Sequence, residues 1–329
     1  MTITYAQSGV DINKVKGAHH KISKLVKKTW GTHIVPLEMH YAGIFKVGGV
    51  QLALHTDGVG TKVLVAHAMD KYDTLGIDCI AMNVNDILCV GAKPIAFVDY
   101  IALQREDEKL IVELMRGLMK GAQISGMPIV GGETAILRDL LRGSEEKTGF
   151  DLAGTAVGII DKRVTGAAMK KGDVVIGLES SGIHSNGYTL ARRVLDVKKW
   201  GKKMLVPTRI YVQPVLELMK HVSVKGMAHI TGGAYTKLRR ITSRSNTGML
   251  LNYLPKPHRI FREMMKQVEP GEMYKTFNMG IGYVLVVNPK NENYALEILR
   301  RKGARAQVIG EIIQEKKIKI ESGFFRGEF

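Results

Sequence analysis

The residues best suited to chemistry sit in short strings punctuated by glycine. The first is Asp57-Gly58-Val59-Gly60-Thr61-Lys62, at the end of an alternating stretch, Gln51 to Thr56. Gly58 and Gly60 permit positive φ and close approach of a ligand, leaving backbone N–H groups for phosphate oxygens. Lys62 adds a cation, Thr61 a hydroxyl, and Asp57 the hard oxygen that magnesium favours. The string is not a P-loop, which requires GxxxxGK[ST]. An ordinary turn whose aspartate accepts its own backbone amides is the plain alternative.

Two further strings bring acidic groups. Asn83-Val84-Asn85-Asp86 lies in an otherwise apolar stretch, where buried polar side chains must find partners. Gly131-Gly132-Glu133-Thr134 places a carboxylate just after a short strand, at a glycine turn. Each has a structural alternative: a hydrogen-bonded cap for Asp86, a helix-starting residue for Glu133. Taken together, Asp57, Asp86 and Glu133 read as ligands for a magnesium-nucleotide complex, since magnesium takes few protein carboxylates and fills its shell with phosphates and water.

The second half contributes Ser180-Ser181-Gly182-Ile183-His184-Ser185-Asn186-Gly187-Tyr188. Such a loop beside a helix start can cradle an anion. Ser185 or Asn186 serves equally well as a helix cap. His184, in mid-loop, carries the imidazole suited to proton transfer near neutrality. His229-Ile230-Thr231-Gly232-Gly233 and Phe277-Asn278-Met279-Gly280-Ile281-Gly282 are additional glycine-rich turns that alone read as structural. No GxSxG elbow accompanies them, so a Ser-His-Asp hydrolase is not supported.

The elements that must position these groups alternate between strand and helix. Apolar spacing predicts helices over Asp11 to Lys28, Asp73 to Val90 and Glu106 to Ser125, the last stopped by Gly126. Strands are expected at Gln51 to Thr56, Ile95 to Leu103, Met127 to Val130 and Leu152 to Ile160. Turn residues and lysines break the pattern from Asp161 to Gly172. Beyond it come strands at Asp173 to Leu178, Gly248 to Tyr253, Gly282 to Val287 and Ala306 to Ile313. Helices are expected near Asn186 to Val197, Pro214 to His221, His258 to Gln267 and Asn293 to Arg301. The expectation is two α/β domains, residues 1–165 and 170–329.

Composition narrows the function classes. The chain of 329 residues has 45% hydrophobic residues, enough for a core in each half. No apolar run is long enough to cross a bilayer, and Met1 to Val10 lacks the marks of a secretion signal. Cys79 and Cys89 match no zinc spacing and read as core thiols of a reducing, cytoplasmic compartment. The net charge of +17 raises the question of nucleic acid. However, the basic residues are scattered, as in Lys27-Lys28, Arg192-Arg193 and Arg300-Arg301-Lys302, and aromatics are only 6%. No nucleic-acid partner is therefore expected.

The strings fall in a familiar order. Tyr5 to Ile12, DGVGTK at 57–62, MNVND at 82–86, GAKP at 91–94 and VDYIA at 98–102 are followed by VGGET at 130–134 and SSGIHSNGY at 180–188. PTRIYV at 207–212, HITGG at 229–233 and MYKTFNMGIG at 273–282 complete the series. In this the chain resembles the aminoimidazole ribonucleotide synthetases, or phosphoribosylformylglycinamidine cyclo-ligases, over nearly its whole length. The DGVGTK-like and ND-like elements are shared with formylglycinamidine ribonucleotide synthetase, selenophosphate synthetase and thiamine-monophosphate kinase.

The resemblance implies an α/β (α+β) subunit of two domains, and a homodimer whose N-terminal mixed sheets join into a β-barrel. It implies ATP-dependent closure of formylglycinamidine ribonucleotide to aminoimidazole ribonucleotide, ADP and phosphate, through an iminophosphate-type intermediate. Carried over by position, Asp57, Asp86 and Glu133 would hold Mg2+. Gly58, Gly60, Thr61, Lys62, Asn85, Gly131 and Gly132 would face nucleotide, and His184, Ser185 and Asn186 would line the site, His184 and Asp57 acting in the chemistry. The chain departs from the family where Glu38 to Phe45 replaces a glycine-rich segment, at Ile136 to Lys147, and at Ala234 after HITGG. A kinase of the same superfamily and a non-catalytic nucleic-acid-binding protein are the competing readings.

Overall fold

The computed structural model describes residues 12–37, 40–142 and 148–329. The motif at Tyr5 to Asp11, Glu38-Met39 and the charged stretch 143–147 lie outside the described residues. Helix α1 (Ile12–Val26) precedes strands β1 (Ile34–Val35), β2 (Gly43–Val47) and β3 (Val50–Gly58). Helices α2 (Val63–Met69) and α3 (Leu75–Leu88), strand β4 (Ala92–Leu103) and helix α4 (Glu108–Ser125) follow. Strands β5 (Ile129–Ile136) and β6 (Phe150–Ile160) finish a six-stranded sheet of order β1-β2-β3-β6-β4-β5. Only β4 and β5 run parallel in it, and α4 is the crossover that joins them.

Local sequence explains the helices of this half. Asp107 caps α4, its carboxylate accepting the Leu110 N–H at 3.0 Å, and Gly126 ends the helix in the left-handed conformation, φ 73°. α3 is apolar nearly all round because it is buried between the sheet and α4. The two helices approach at glycine: a Cβ on Gly76 would sit 2.0 Å from the Leu118 backbone nitrogen. The shared inner face of the sheet is set by register. Asp57 and Asp99 both pair with Gly154, and Asp99 pairs with Gly132, so these positions form one row. The opposite face carries Val50, Leu54, Val98 and Tyr100, each about two-fifths exposed at 41%, 42%, 41% and 42%.

The second half has strands β7 (Val174–Glu179), β8 (Gly226–His229), β9 (Gly248–Leu251), β10 (Ile281–Val287), β11 (Ala306–Ile313), β12 (Ile318–Glu321) and β13 (Arg326–Glu328). They form a seven-stranded sheet of order β13-β12-β9-β11-β7-β10-β8. Its helices are α5 (Tyr188–Val194), α6 (Val197–Met204), α7 (Val212–His221), α8 (Arg239–Ser245), α9 (Arg259–Met264), α10 (Pro270–Thr276) and α11 (Glu292–Arg301). Every residue of β10 is buried, as its continuous apolar run requires. Helix α7 starts two residues before Pro214, which sits in the first turn, where a missing N–H breaks no helical bond. Among the described residues, no helix is long and apolar enough to cross a membrane.

One expectation is corrected here. Gly131 to Thr134 is not a turn but the middle of β5, which continues to Ile136. Pairing with β4 extends the strand through both glycines.

Candidate active site

Helix α3 is the element on which the site is built. Its polar residues are buried, and their partners come from both domains. Asn85 donates through Nδ2 to the Arg209 carbonyl at 2.9 Å and accepts the Tyr211 N–H on Oδ1 at 3.0 Å. Asp86 Oδ1 lies 2.7 Å from His229 Nδ1, and its Oδ2 lies 3.4 Å from His55 Nε2. Asn83 donates to the carbonyls of Asp57 and Cys79, at 3.1 and 2.9 Å, which ties the end of β3 to the helix. Its Oδ1 also lies 3.3 Å from His55 Nδ1. The three polar side chains noted on an apolar helix are therefore satisfied, Asn83 within the first domain, Asn85 across the domain boundary and Asp86 on both sides of it.

Asp57 and Asp86 interact electrostatically. Burial raises the Asp57 carboxyl above its usual range and the Asp86 charge raises it further, against the opposing pull of the Gly58 N–H, His55 and Lys237. For Asp86, burial also acts upward, but the hydrogen bond and charge of His229, with His55 and Lys237, outweigh it and hold the carboxyl low. A buried carboxylate and a half-buried one that repel each other make a hard-oxygen pair whose repulsion a divalent cation would relieve. Asp57 Oδ1 already accepts the Gly58 N–H at 2.8 Å. Among the described residues no cluster of three or more His, Cys, Asp and Glu has metal-holding geometry, so any ion here would draw mainly on ligand oxygens.

Three sequence assignments are corrected by their placement. Lys62 is fully buried, its Nζ 2.6 Å from Asp78 Oδ2, and it donates to the carbonyls of His184 and Val206 at 3.1 and 3.0 Å. All three ammonium hydrogens are thus engaged, and Lys62 fastens the domains together rather than facing a phosphate. Glu133 pairs with Tyr100 on the face turned away from Asp57, three strands further across the sheet. It does not join Asp57 and Asp86, and its Oε1 accepts the Thr134 N–H at 3.0 Å. Gly131 is exposed on that outward row, while Gly132 lies against the Asp99 carboxylate, where a Cβ would come within 2.5 Å of Oδ1.

His184 is 1% exposed, at φ 68°, with Nε2 accepting the Ser181 N–H at 3.2 Å. Burial, followed by the charges of His229 and Lys62, holds its imidazole well below the usual range. The Ser181 bond orders the loop around the buried ring. Ser185 donates to the Val59 carbonyl at 2.9 Å, and Asn186 Nδ2 points at Met82 Sδ at 3.8 Å. Neither caps a helix: Gly187 precedes α5 without a side-chain cap. Instead this loop seals the turn after Asp57, where Gly60 has φ 58° and Thr61 Oγ1 lies 3.4 Å from Thr189 Oγ1.

Sequence reasoning missed three residues here. His229 belongs to a string read as a structural turn, yet it ends β8 with its ring on Asp86. His55 stands two residues before Asp57 on one strand, and hence on one face. Lys237 lies just past the glycine pair at 232–233; it bonds the Thr231 hydroxyl at 2.6 Å, and its charge acts on both Asp86 and Asp57. It is the cation nearest to the role expected of Lys62. A separate surface cavity of about 590 Å³ lies on the second domain beside Glu179, His258 and Arg305. None of Asp57, Asp86 or His229 lines it, and Glu179 already pairs both basic side chains, at 3.3 and 3.2 Å.

Two sheets joined through a buried helix that carries a few polar side chains, with an acidic pair at the joint, define a class. Residues 39–160 match the N-terminal domain, and residues 170–323 the C-terminal domain, of the AIR synthase related proteins, and the chain belongs to that family. Within it, the chain is 48% identical to the phosphoribosylformylglycinamidine cyclo-ligase of Pyrococcus furiosus, covering 91% of this chain and 92% of that one. It is 46% identical to the enzyme of the same name from Thermococcus kodakarensis, over 97% and 98% of the two chains. Solved structures share the fold at low identity. A chain of a HypE–HypF complex has a TM-score of 0.69 at 19% identity, covering 94% of this chain and 97% of that one. The thiamine-monophosphate kinase of Stenotrophomonas maltophilia has 0.65 at 15%, over 91% and 95%. Thermotoga maritima PurL complexed with ATP has 0.61 at 18%, over 88% of this chain and 45% of that one.

Proposed function

We propose that this protein is a phosphoribosylformylglycinamidine cyclo-ligase of purine biosynthesis in the cytoplasm, closing the imidazole ring of formylglycinamidine ribonucleotide at the cost of ATP. The observation that carries this reading is identity of 46% over 97% of the chain to an enzyme of that name. The ATP requirement is supported by ATP-bound structures of the same fold. An amide oxygen is a poor leaving group. Transfer of the γ-phosphoryl group to it gives an iminophosphate, and attack by the neighbouring nitrogen then expels phosphate as the ring closes.

In this reading the chain's own residues supply position and charge. Asp57 and Asp86 would hold Mg2+, which neutralises phosphate charge when bound. His229 and His55 fix the Asp86 carboxylate, and Lys237 supplies a cation beside the pair. Gly58, Gly60 and Thr61, with Ser185 bonded to the Val59 carbonyl between them and Asn186 beside it, would form the turn nearest the nucleotide. The test is ADP release by the purified protein with Mg2+ and ATP, with and without formylglycinamidine ribonucleotide. ADP and aminoimidazole ribonucleotide should appear together, in equal amounts. ADP release that ignores this substrate but responds to another phosphorylated acceptor overturns the cyclo-ligase reading.

We also propose that a second copy of the chain covers the outward face of the first sheet, its strands completing a β-barrel. The support is a row of exposed apolar side chains, Val50, Leu54, Val98 and Tyr100, on strands that are central in the sheet or near its centre. Sedimentation should give a dimer, and Leu54→Arg with Val98→Arg a folded monomer. A monomeric wild-type protein at micromolar concentration would rule this out.

A further inference from the structure

Strand β7 lies between β11 and β10, and register fixes what faces one side of these three. Ile281 pairs with Glu179, whose N–H bonds the Arg305 carbonyl just ahead of β11, so Arg305, Glu179 and Ile281 form one row. Gln307 pairs with Gly177 in the next row, on the same face. Gly177 adds no side chain there, and a hollow of about 590 Å³ remains between this face, the loop ahead of α9 and the end of α11.

The floor and the rim of this hollow differ in chemistry. Ile281, Ala304 and Ala306 are buried apolar residues in its lining, whereas Lys256, Arg300 and Arg305 are exposed. Glu179 holds Arg305 Nη1 at 3.2 Å and His258 Nε2 at 3.3 Å. Arg300 Nη2 donates to the Ala306 carbonyl at 3.3 Å, which fixes the guanidinium and leaves its other N–H groups. Lys256 makes no ion pair among the described residues. Three fixed cations therefore meet one carboxylate, and positive charge stays in excess with both Glu179 contacts made. An exposed lysine or arginine by itself needs no ligand. Cations gathered from a loop, a helix and a strand around one hollow repel each other, and a bound anion offsets that repulsion.

We infer that this hollow binds a phosphate monoester carried on a partly apolar body, the chemical class of a nucleoside monophosphate, at a site separate from Asp57 and Asp86. Its volume lies in the range of small-molecule sites, which pair a mostly apolar lining with a few placed polar groups. The planar guanidinium groups of Arg300 and Arg305 match phosphate oxygens pairwise, with Lys256 as a further charge. Gln307 Nε2 donates to the Tyr253 carbonyl at 3.1 Å, which leaves Oε1 to accept an N–H from a base.

The probe is AMP, titrated calorimetrically into the full-length protein. A hydrolysis-resistant ATP analogue and Mg2+ are already present, to fill the nucleotide site proposed at Asp57 and Asp86. Lys256→Ala with Arg300→Ala removes two exposed cations. The variant should melt and turn over ATP like wild type, yet bind AMP about tenfold more weakly. Adenosine and inorganic phosphate, each offering one part of the ligand, should bind wild type more weakly than AMP. The inference is overturned by a wild type that binds no AMP at millimolar concentration, or by equal AMP affinity in the two proteins. Loss of turnover in the variant also overturns it, since the hollow would then serve the reaction itself. So does inorganic phosphate binding as tightly as AMP, which reduces the hollow to a bare anion site.

Discussion

Asp86→Asn should lower kcat/KM for ATP-dependent turnover by about a hundredfold, about 2.7 kcal/mol of transition-state stabilisation. The amide still accepts a hydrogen bond from His229 Nδ1, 2.7 Å away in the native protein, so the helix and the domain contact persist. What disappears is the charge that His229, His55 and Lys237 hold in the ionised state. The loss should therefore appear in turnover and in the Mg2+ concentration needed for half-maximal rate, with little change in unfolding. Asp57→Asn should act in the same direction. Replacing His229 by Gln keeps a polar group but loosens the carboxylate, with a smaller loss of about tenfold. Near-wild-type turnover of Asp86→Asn at limiting Mg2+ would remove the acidic pair from the mechanism.

The largest effect on stability is expected at Lys62. Lys62→Met leaves Asp78 as a buried, unpaired carboxylate, and such a change costs about 3–5 kcal/mol. Burial pushes the Lys62 ammonium down and the Asp78 carboxyl up, and each is opposed by the other's charge. Asp78 also accepts the Thr208 N–H and hydroxyl at 2.7 and 2.6 Å, so its loss of charge partner strains the PTRIYV segment as well. Pairing Lys62→Met with Asp78→Asn should restore part of the loss in chemical denaturation, because an amide can still bond Thr208 and no buried charge remains. If Lys62→Met unfolds like wild type but its KM for ATP rises sharply, Lys62 faces the nucleotide after all.

These two residues show where sequence reading works and where it stops. Asp86 was legible because a charge on an apolar helix needs a partner, whatever the fold. Lys62 was misread for the opposite reason. A lysine after two glycines looks like a phosphate cation, and nothing local reveals that Asp78, sixteen residues on, will meet it inside the protein. Glu133 failed through register: period-two alternation turns a one-residue shift into a change of face. Long elements with strong patterns, such as α3, α4, β6 and β11, lie where their apolar spacing places them, with ends moved by a few residues. The short strands β1, β8, β12 and β13 carry too little pattern to stand out. Lys237 gains meaning only from Asp57 and Asp86, which lie in the other half of the chain.

Helix α3 has a consequence for what either half of the chain can be by itself. Asp78, Asn85 and Asp86 belong to the first sheet's layer, yet Thr208, Arg209, Tyr211 and His229 complete their bonds. Cut the chain at the boundary and each piece presents raw polar sockets shaped for an absent counterpart, along with part of a core that runs through both halves. The halves are therefore separate in architecture but not in inheritance. A change at one side of the joint sets the terms for the other, and neither half is free to be borrowed intact into another protein.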